Sequence, residues 1–510
     1  MLKSRLAAAS LLASLCILAP SQVVAQARTS VAVAASWHVT SLDPSSDGYT
    51  YQRMGIGETL VDADASGALV PGLAREWSSS EDGLTWRFRL RPNVEFHDGT
   101  GLDAAKATAS LNRALSHPGI LSLAPIADIT ADGDDVVVRL EKPFAPLPAL
   151  MANYATMILA PASFAEDGST VAVIGTGPFR ITFVAPPISL EVERFSDYWG
   201  EPALIETASY MSASRAEARA LMVESGDTDL AVTLDPAGIR QLSPLDDVEV
   251  EVVPIPRTIA LKLNLARPQL AEAKARRALS LAIDREGIAA GILGFPEAAA
   301  TQLFPPTLED WHSDSLAPLS TNFSEAKSLL AELGWEPGPD GILMRDGKRF
   351  ELTLRTFPNR PELPLIAAAV QDQWRQIGVD LNVSVGNSSD IPAGHQDGSL
   401  DVALYARNYG LTPDPIVNAA DDFGSGGGDW GAMNWDSPKV AEALAAALET
   451  TDEAARADAV ESVIESVQAE LPVIPIAWYQ QTVAHPKALQ GVVVDPLERS
   501  YGLSKLRWAE

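Results

Sequence analysis

The sequence is short of thiols, of positive charge and of aromatic rings. One cysteine, Cys16, stands in 510 residues, and it falls in an N-terminal apolar segment. The rest of the chain can therefore form no disulfide and no thiolate metal site. Basic residues number 38 against 67 acidic, a formal charge of −29, and no run rich in Lys and Arg interrupts that excess. A phosphate backbone would be repelled over most of such a surface, which excludes nucleic acid as a partner. After the N-terminus no uninterrupted apolar run reaches the ~18 residues of a membrane span. What is present is 46% hydrophobic and 21% charged, with 6% aromatic, the balance of a folded chain of more than one domain.

The first 27 residues, MLKSRLAAASLLASLCILAPSQVVAQA, have the order of a secretory leader. Lys3 and Arg5 precede an apolar core from Leu6 to Leu18, and Ala25-Gln26-Ala27 supplies small residues at a cleavage site. Cleavage after Ala27 is expected, giving an exported, periplasmic protein. Leu15 stands before Cys16, where a lipoprotein signal has a small residue, so a lipid anchor is not expected. Loss of Lys3 and Arg5 takes the formal charge from −29 to −31.

From there, β-rich segments such as TWRFRLR, DVVVRLE, EVEVVPI, IALKLNL and LDVALYA alternate with alanine-rich helical ones. The helical stretches include AAKATASLNRALS, LPLIAAAVQDQWRQIG and SPKVAEALAAALETTDEAARADAVESVIESVQAEL. This alternation predicts α/β architecture, mixed sheets covered by helices. Residues 421–431, DDFGSGGGDWG, predict a flexible loop.

The stretch Glu95-Phe96-His97-Asp98-Gly99 has the composition of a catalytic or metal corner. Its flanks favour a plainer account. Trp86, Phe88 and Leu90 alternate with arginines as in a half-buried strand, Asp98-Gly99 signals a turn, and Asp103 is placed to cap the helix beginning at Ala104. His97 is expected to be structural.

These same residues carry a resemblance. Trp77, Asp82-Gly83, Trp86, Phe88, Leu90-Arg91, Val94, Phe96 and Asp98-Gly99 are similar to the signature of the extracytoplasmic solute-binding proteins of ABC importers, peptide and nickel class (family 5). Gly175-Thr176-Gly177-Pro178-Phe179, Ala275 through Arg285, Ala326 through Trp335, and Trp374 with Ile377-Gly378-Val379 continue it. The resemblance implies a two-lobed periplasmic-binding-protein fold with two interlobe crossings and an extra domain inserted in the first lobe. On this chain it places lobe I at 28–66, 171–260 and 476–510, the inserted domain at 67–170 and lobe II at 261–475. A small solute would be enclosed between the lobes and delivered to an ABC transporter permease. Nothing in the pattern asks for a cofactor or a resident metal.

The ligand loop of the second lobe falls at ALYARNYGLTPDPIVN, residues 403–418. Leu411 stands where peptide binders place an aspartate for the amino terminus. Arg407, Tyr409 and Gly410 resemble the nickel-class pattern upstream of Asp414-Pro415, with Tyr in place of Trp. Read from its own chemistry, Arg407 offers a planar fork for a carboxylate beside Asn408 and Tyr409; equally, it can pair with Asp414 or Asp421 and fix the loop. Tyr49, Tyr51 and Arg53 in the first lobe, and Trp430 beside the glycine loop, complete the expected contacts. The ligand classes are a short peptide, a metal chelate and an opine-like carboxylated compound. A chaperone or receptor on the same fold is the alternative. An exported hydrolase lacks any G-x-S-x-G, H-E-x-x-H or paired-carboxylate constellation to carry it.

Overall fold

In the strand Thr85–Leu90, Trp86, Phe88 and Leu90 are buried while Arg87 and Arg89 face out to Asp132 and Asp135, so a two-residue period alone sets which face packs. This strand belongs to a four-stranded antiparallel sheet, ordered 74–79, 85–90, 135–140, 126–132, that is separate from the rest of the chain's sheets. The helix Ala104–Leu115 packs on it, capped by the Asp103 carboxylate accepting from Lys106 N at 2.8 Å. The computed structural model describes residues 28–117 and 119–509. The expected leader, with Cys16 and its cleavage site, lies outside the described residues.

Beside one three-stranded and two two-stranded sheets, most of the remaining strands belong to one ten-stranded mixed sheet. Its order is 380–385, 351–356, 402–408, 248–263, 473–486, 230–232, 30–35, 207–212, 189–194, 179–185. The first three strands pair in parallel under the helices of the second lobe. Strand 30–35 pairs in parallel with 207–212 and 230–232 in the first lobe. The two lobes share the two long central strands, Val248–Leu263 and Val473–Pro486, which run antiparallel to each other. The α/β reading and the pair of crossings thus have a common origin: each crossing is a strand that continues from one lobe's sheet into the other's.

Three segments differ from the sequence reading. EVEVVPI and IALKLNL, read as two strands, are one strand of 16 residues, because Pro254 and Pro256 fall at an irregularity in the pairing, where no ladder donor is required of them. The long stretch beginning SPKVAEAL is two helices, Pro438–Glu449 and Glu453–Glu470; Asp452 accepts from Ala455 N at 2.8 Å and starts the second. In the glycine-rich stretch, Asp421–Phe423 complete the helix Pro415–Phe423. The loop beyond is tied down by Lys262, fully buried, whose Nζ donates to the Gly428 and Gly431 carbonyls at 2.6 and 2.8 Å. Loss of water pushes that amine down to about 7.

Candidate functional site

The long strands keep a regular ladder from Val248 opposite Pro486 to Pro254 opposite Gln480, and take it up again at Thr258 opposite Trp478. Ile255, Pro256 and Arg257 therefore face a single residue, Tyr479. This bulge turns Arg257 and Tyr479 toward each other, guanidinium carbon 5.0 Å from the ring centre, with Arg257 only 4% exposed.

The bulge has one buried carboxylate opposite it. Glu498 is presented by a C-terminal turn in which the Asp495 carboxylate accepts from the main-chain N–H of Leu497 and Arg499 at 2.9 Å and of Ser500 at 3.0 Å. That turn holds Glu498 at φ +58°, a region few side-chain-bearing residues adopt. The Glu498 carboxylate accepts from Arg257 Nη2 and from Asn408 Nδ2, the latter at 2.6 Å. Arg257 and Asn408 are themselves cross-strand partners. Arg53, at the end of helix Pro44–Arg53, donates through Nε to the Glu498 main-chain oxygen at 2.5 Å and brings Nη2 to 3.9 Å from Oε1. Burial opposes charge on Glu498, but Arg257, Arg53 and Arg360 outweigh it and hold the carboxyl below its ordinary range.

Arg360 is the third guanidinium. It precedes the helix Glu362–Arg375 in the second lobe and lies between two rings, 5.2 Å from the centre of Trp37, just past the first strand of the first lobe, and 5.1 Å from Tyr479. It is 8% exposed and, among the described residues, stands in no ion pair; its polar contact is with the Tyr479 side chain. Trp37, Tyr49 and Tyr154 continue edge to face at 6.2 and 5.9 Å, and Arg53 lies 5.4 Å from the Tyr49 ring. The seam between the lobes thus gathers three guanidiniums around one carboxylate, walled by aromatic rings. Such a site has unspent donors for an anion, in surroundings that exclude water.

Of the residues expected from sequence, the structure brings Arg53, Tyr49 and Asn408 to this seam. Tyr51 is fully buried, its hydroxyl donating to the Ser41 carbonyl at 2.6 Å. Tyr409 is buried against Phe304, and its N–H takes the Pro256 carbonyl at 2.8 Å, backing the bulge instead of lining it. Asp414 caps its helix at Ile416 N, 3.0 Å, and pairs with Arg456 at 2.5 Å. Trp430 stands against Tyr405, ring centres 5.9 Å apart. Arg407 donates through Nε to Asp422, fully buried, at 2.8 Å and reaches Asp421 at 3.8 Å, so the loop-fixing contact is made. Sequence reasoning missed Trp37, Arg257, Arg360, Tyr479 and Glu498. The arginine in VVPIPRTIAL was a usable signal, a cation interrupting an otherwise apolar strand; Glu498 had none.

His97 is a wedge between the inserted sheet and the GTGPF segment. Its Nε2 lies 3.0 Å from the Gly177 carbonyl, to which it can only donate, its N–H takes the Gly175 carbonyl at 2.9 Å, and its ring meets Phe195 edge to face. Gly175 and Gly177 are required here, since a Cβ on either would run into the main-chain carbonyls of Ile56 and Gly55. Burial pushes the His97 imidazole down to about 4. Between pH 6.5 and 4 the unfolded chain binds a proton that the folded one refuses, so stability falls on acidification through that window and is unaffected above it. His97→Gln should flatten the dependence of Tm on pH in that range, by at most about 3 kcal/mol at its lower end. Equal slopes in both proteins would show that the folded ring accepts the proton freely.

Among the described residues no group of three or more His, Cys, Asp and Glu side chains is placed to hold a metal ion, and no helix is long and apolar enough to cross a membrane. Comparison with known proteins agrees with the architecture. The chain is 26% identical over 461 residues to a nickel-binding periplasmic protein of Escherichia coli (strain K12), covering 86% of this chain and 87% of that one. It is 24% identical over 497 residues to the glutathione-binding protein GsiB of the same strain, covering 91% and 92%. The crystal structure of NikA from Brucella suis in complex with Fe(III)-EDTA superposes with a TM-score of 0.84 at 24% identity, covering 94% of this chain and 99% of that one. The profile of the bacterial extracellular solute-binding proteins, family 5 (middle), matches residues 68–430. With more than half of the chain matched, and its two lobes joined through a shared sheet, the protein belongs to the family 5 bacterial extracellular solute-binding proteins.

Proposed function

We propose that this solute-binding protein captures a small carboxylate-bearing solute in the arginine-lined seam between its lobes and hands it, unaltered, to the permease of an ABC importer. The observation that carries the reading is Arg360, a buried guanidinium fixed between the rings of Trp37 and Tyr479 that, among the described residues, pairs with no carboxylate. A carboxylate leaving water needs such a partner or desolvation opposes its binding. The need is greater here, because a chain with 67 acidic against 38 basic residues repels anions everywhere else. Arg53, Tyr49 and Asn408 belong with this site. The ligands named for the relatives, glutathione and Fe(III)-EDTA, carry several carboxylates, and a metal ion would enter as its chelate. Export with removal of the leader near Ala27, and lobes exchanging near Leu261 and Pro475, complete the proposal.

Native mass spectrometry of the protein isolated from the exported fraction of its own host tests it. A retained compound that contains a carboxylate and leaves the protein chemically unchanged is expected. A retained compound without an anionic group, or one released as a cleaved product, would overturn the reading.

A further inference from the structure

The inserted region is joined by its chain ends to the first lobe but packs with the second. Its buried residues, Phe88, Phe144 and Leu150 among them, form one continuous apolar core with Leu261, Leu404 and Tyr409, while Val33, Tyr51 and Phe179 of the first lobe belong to a separate core. Residues 142–153 carry the polar side of that junction. Ala145 N donates at 2.7 Å to the Leu448 carbonyl, one of the last four of the helix Pro438–Glu449, which find no donor inside their own helix. Asn153 Nδ2 donates at 3.0 Å to Thr412 Oγ1, with Asn153 5% and Thr412 1% exposed. The amide is oriented for this, because its Oδ1 accepts from Ala155 N at 3.0 Å. Lys142 reaches Glu449 at 3.7 Å, an exposed pair that adds little. From the first lobe, Arg499 donates to the Ala152 carbonyl at 2.8 Å. One strap is thus held by both lobes, at adjacent residues.

The junction is a contact between surfaces and not a fused interior. Between Leu123 and Phe144 on one side and Val417, Ala420 and Leu448 on the other lies a crevice of about 320 Å³. Protein interiors leave few voids larger than a water molecule, so a gap of that size marks surfaces that meet and can part. We propose that the strap 142–153 is a clasp that holds the lobes closed by itself, so that the cleft rests closed before a solute enters and opens when Asn153 releases Thr412 and Ala145 releases Leu448. Contacts made in only one of two states bias the equilibrium toward that state. None of the clasp contacts involves Arg360, Trp37, Tyr479 or Glu498, so the clasp stands or falls apart from the carboxylate reading.

The test uses the mature protein, dialysed until native mass spectrometry finds no retained compound. The chain's one cysteine, Cys16, falls in the expected leader, so Lys142→Cys and Glu449→Cys can be joined by a short bis-maleimide without a competing thiol, giving a closed reference. The small-angle scattering curve of wild type should superimpose on that of the joined protein; a larger radius of gyration in wild type would overturn the proposal. Thr412→Val, which keeps the side chain's shape, and Asn153→Ala should each speed hydrogen exchange of the strap about tenfold, the effect of losing one buried hydrogen bond. Exchange of the helix Ala104–Leu115, inside the inserted region, should stay at the wild-type rate. Joining positions 142 and 449 in the Thr412→Val background should restore slow exchange in the strap. Unchanged strap exchange in both variants, or acceleration that extends equally to the helix Ala104–Leu115, would also overturn the proposal, the first because the bond holds nothing shut and the second because the region unfolds instead of letting go.

Discussion

Replacing Arg360 by alanine is expected to weaken binding of the retained solute by about 30-fold to several thousand-fold while leaving the protein folded. Truncating one partner of a buried, charge-assisted contact costs about 2–5 kcal/mol, and most of the cost falls on the ligand charge left without a donor. The fold should tolerate the change, because among the described residues Arg360 forms no ion pair and rests against the rings of Trp37 and Tyr479. Arg360→Lys should recover a minor part of the affinity, since an ammonium neither forks nor stacks as a guanidinium does. Calorimetry on the three proteins decides the matter. An alanine variant with wild-type affinity would place the solute elsewhere.

Neutralising Glu498 should have the opposite profile, a loss of stability before any loss of recognition. Among the described residues Glu498 is the one carboxylate in ion-pair contact with Arg53 and Arg257, both buried. Glu498→Gln leaves those guanidiniums enclosed without their counter-charge, and breaking a buried pair from one side costs about 3–5 kcal/mol. Denaturant titration should show that loss, and the double variant Glu498→Gln/Arg257→Gln should regain part of it, because the second change removes the uncompensated cation. The pH dependence has a definite sign. Glu498 has a folded-state pKa below its unfolded one, so its stabilisation is in full force above the unfolded value and is lost as pH falls through the folded value. A single variant as stable as wild type would show that the arginines find compensation without it.

Local rules carried the sequence reading a long way. Period-two burial in TWRFRLR, the cap Asp103, and the turn at Asp98-Gly99 all follow from a few neighbouring residues, and the structure has each of them. The seam follows from pairing over long distances. Arg257 and Glu498 are 241 residues apart, and Asn153 of the inserted region donates to Thr412 of the second lobe across 259. Neither partner announces the other. Arg407 shows the limit from the other side: a fork at the end of a buried strand is a sound candidate for a carboxylate, but Asp422, reached by the helix folding back, supplies that carboxylate from within the chain.

The three-against-one stagger at residues 255–257 also determines how the protein can change shape. Lobes tethered by loose linkers reorient freely; here they are two halves of one pleated surface, and a ladder of main-chain hydrogen bonds resists flexing along most of its length. The stagger interrupts that ladder, with Pro254 and Pro256 contributing no N–H to break. With the second irregularity, between Ile259 and Ala260, it marks the fold line of the leaf. Because Tyr479 sits on that line, with Arg360 against its ring, an anion held there as proposed would load the joint itself and not a distant lever arm. On the proposed reading, occupancy and curvature would then be a single mechanical variable, which a partner gripping both halves from outside would read as one angle.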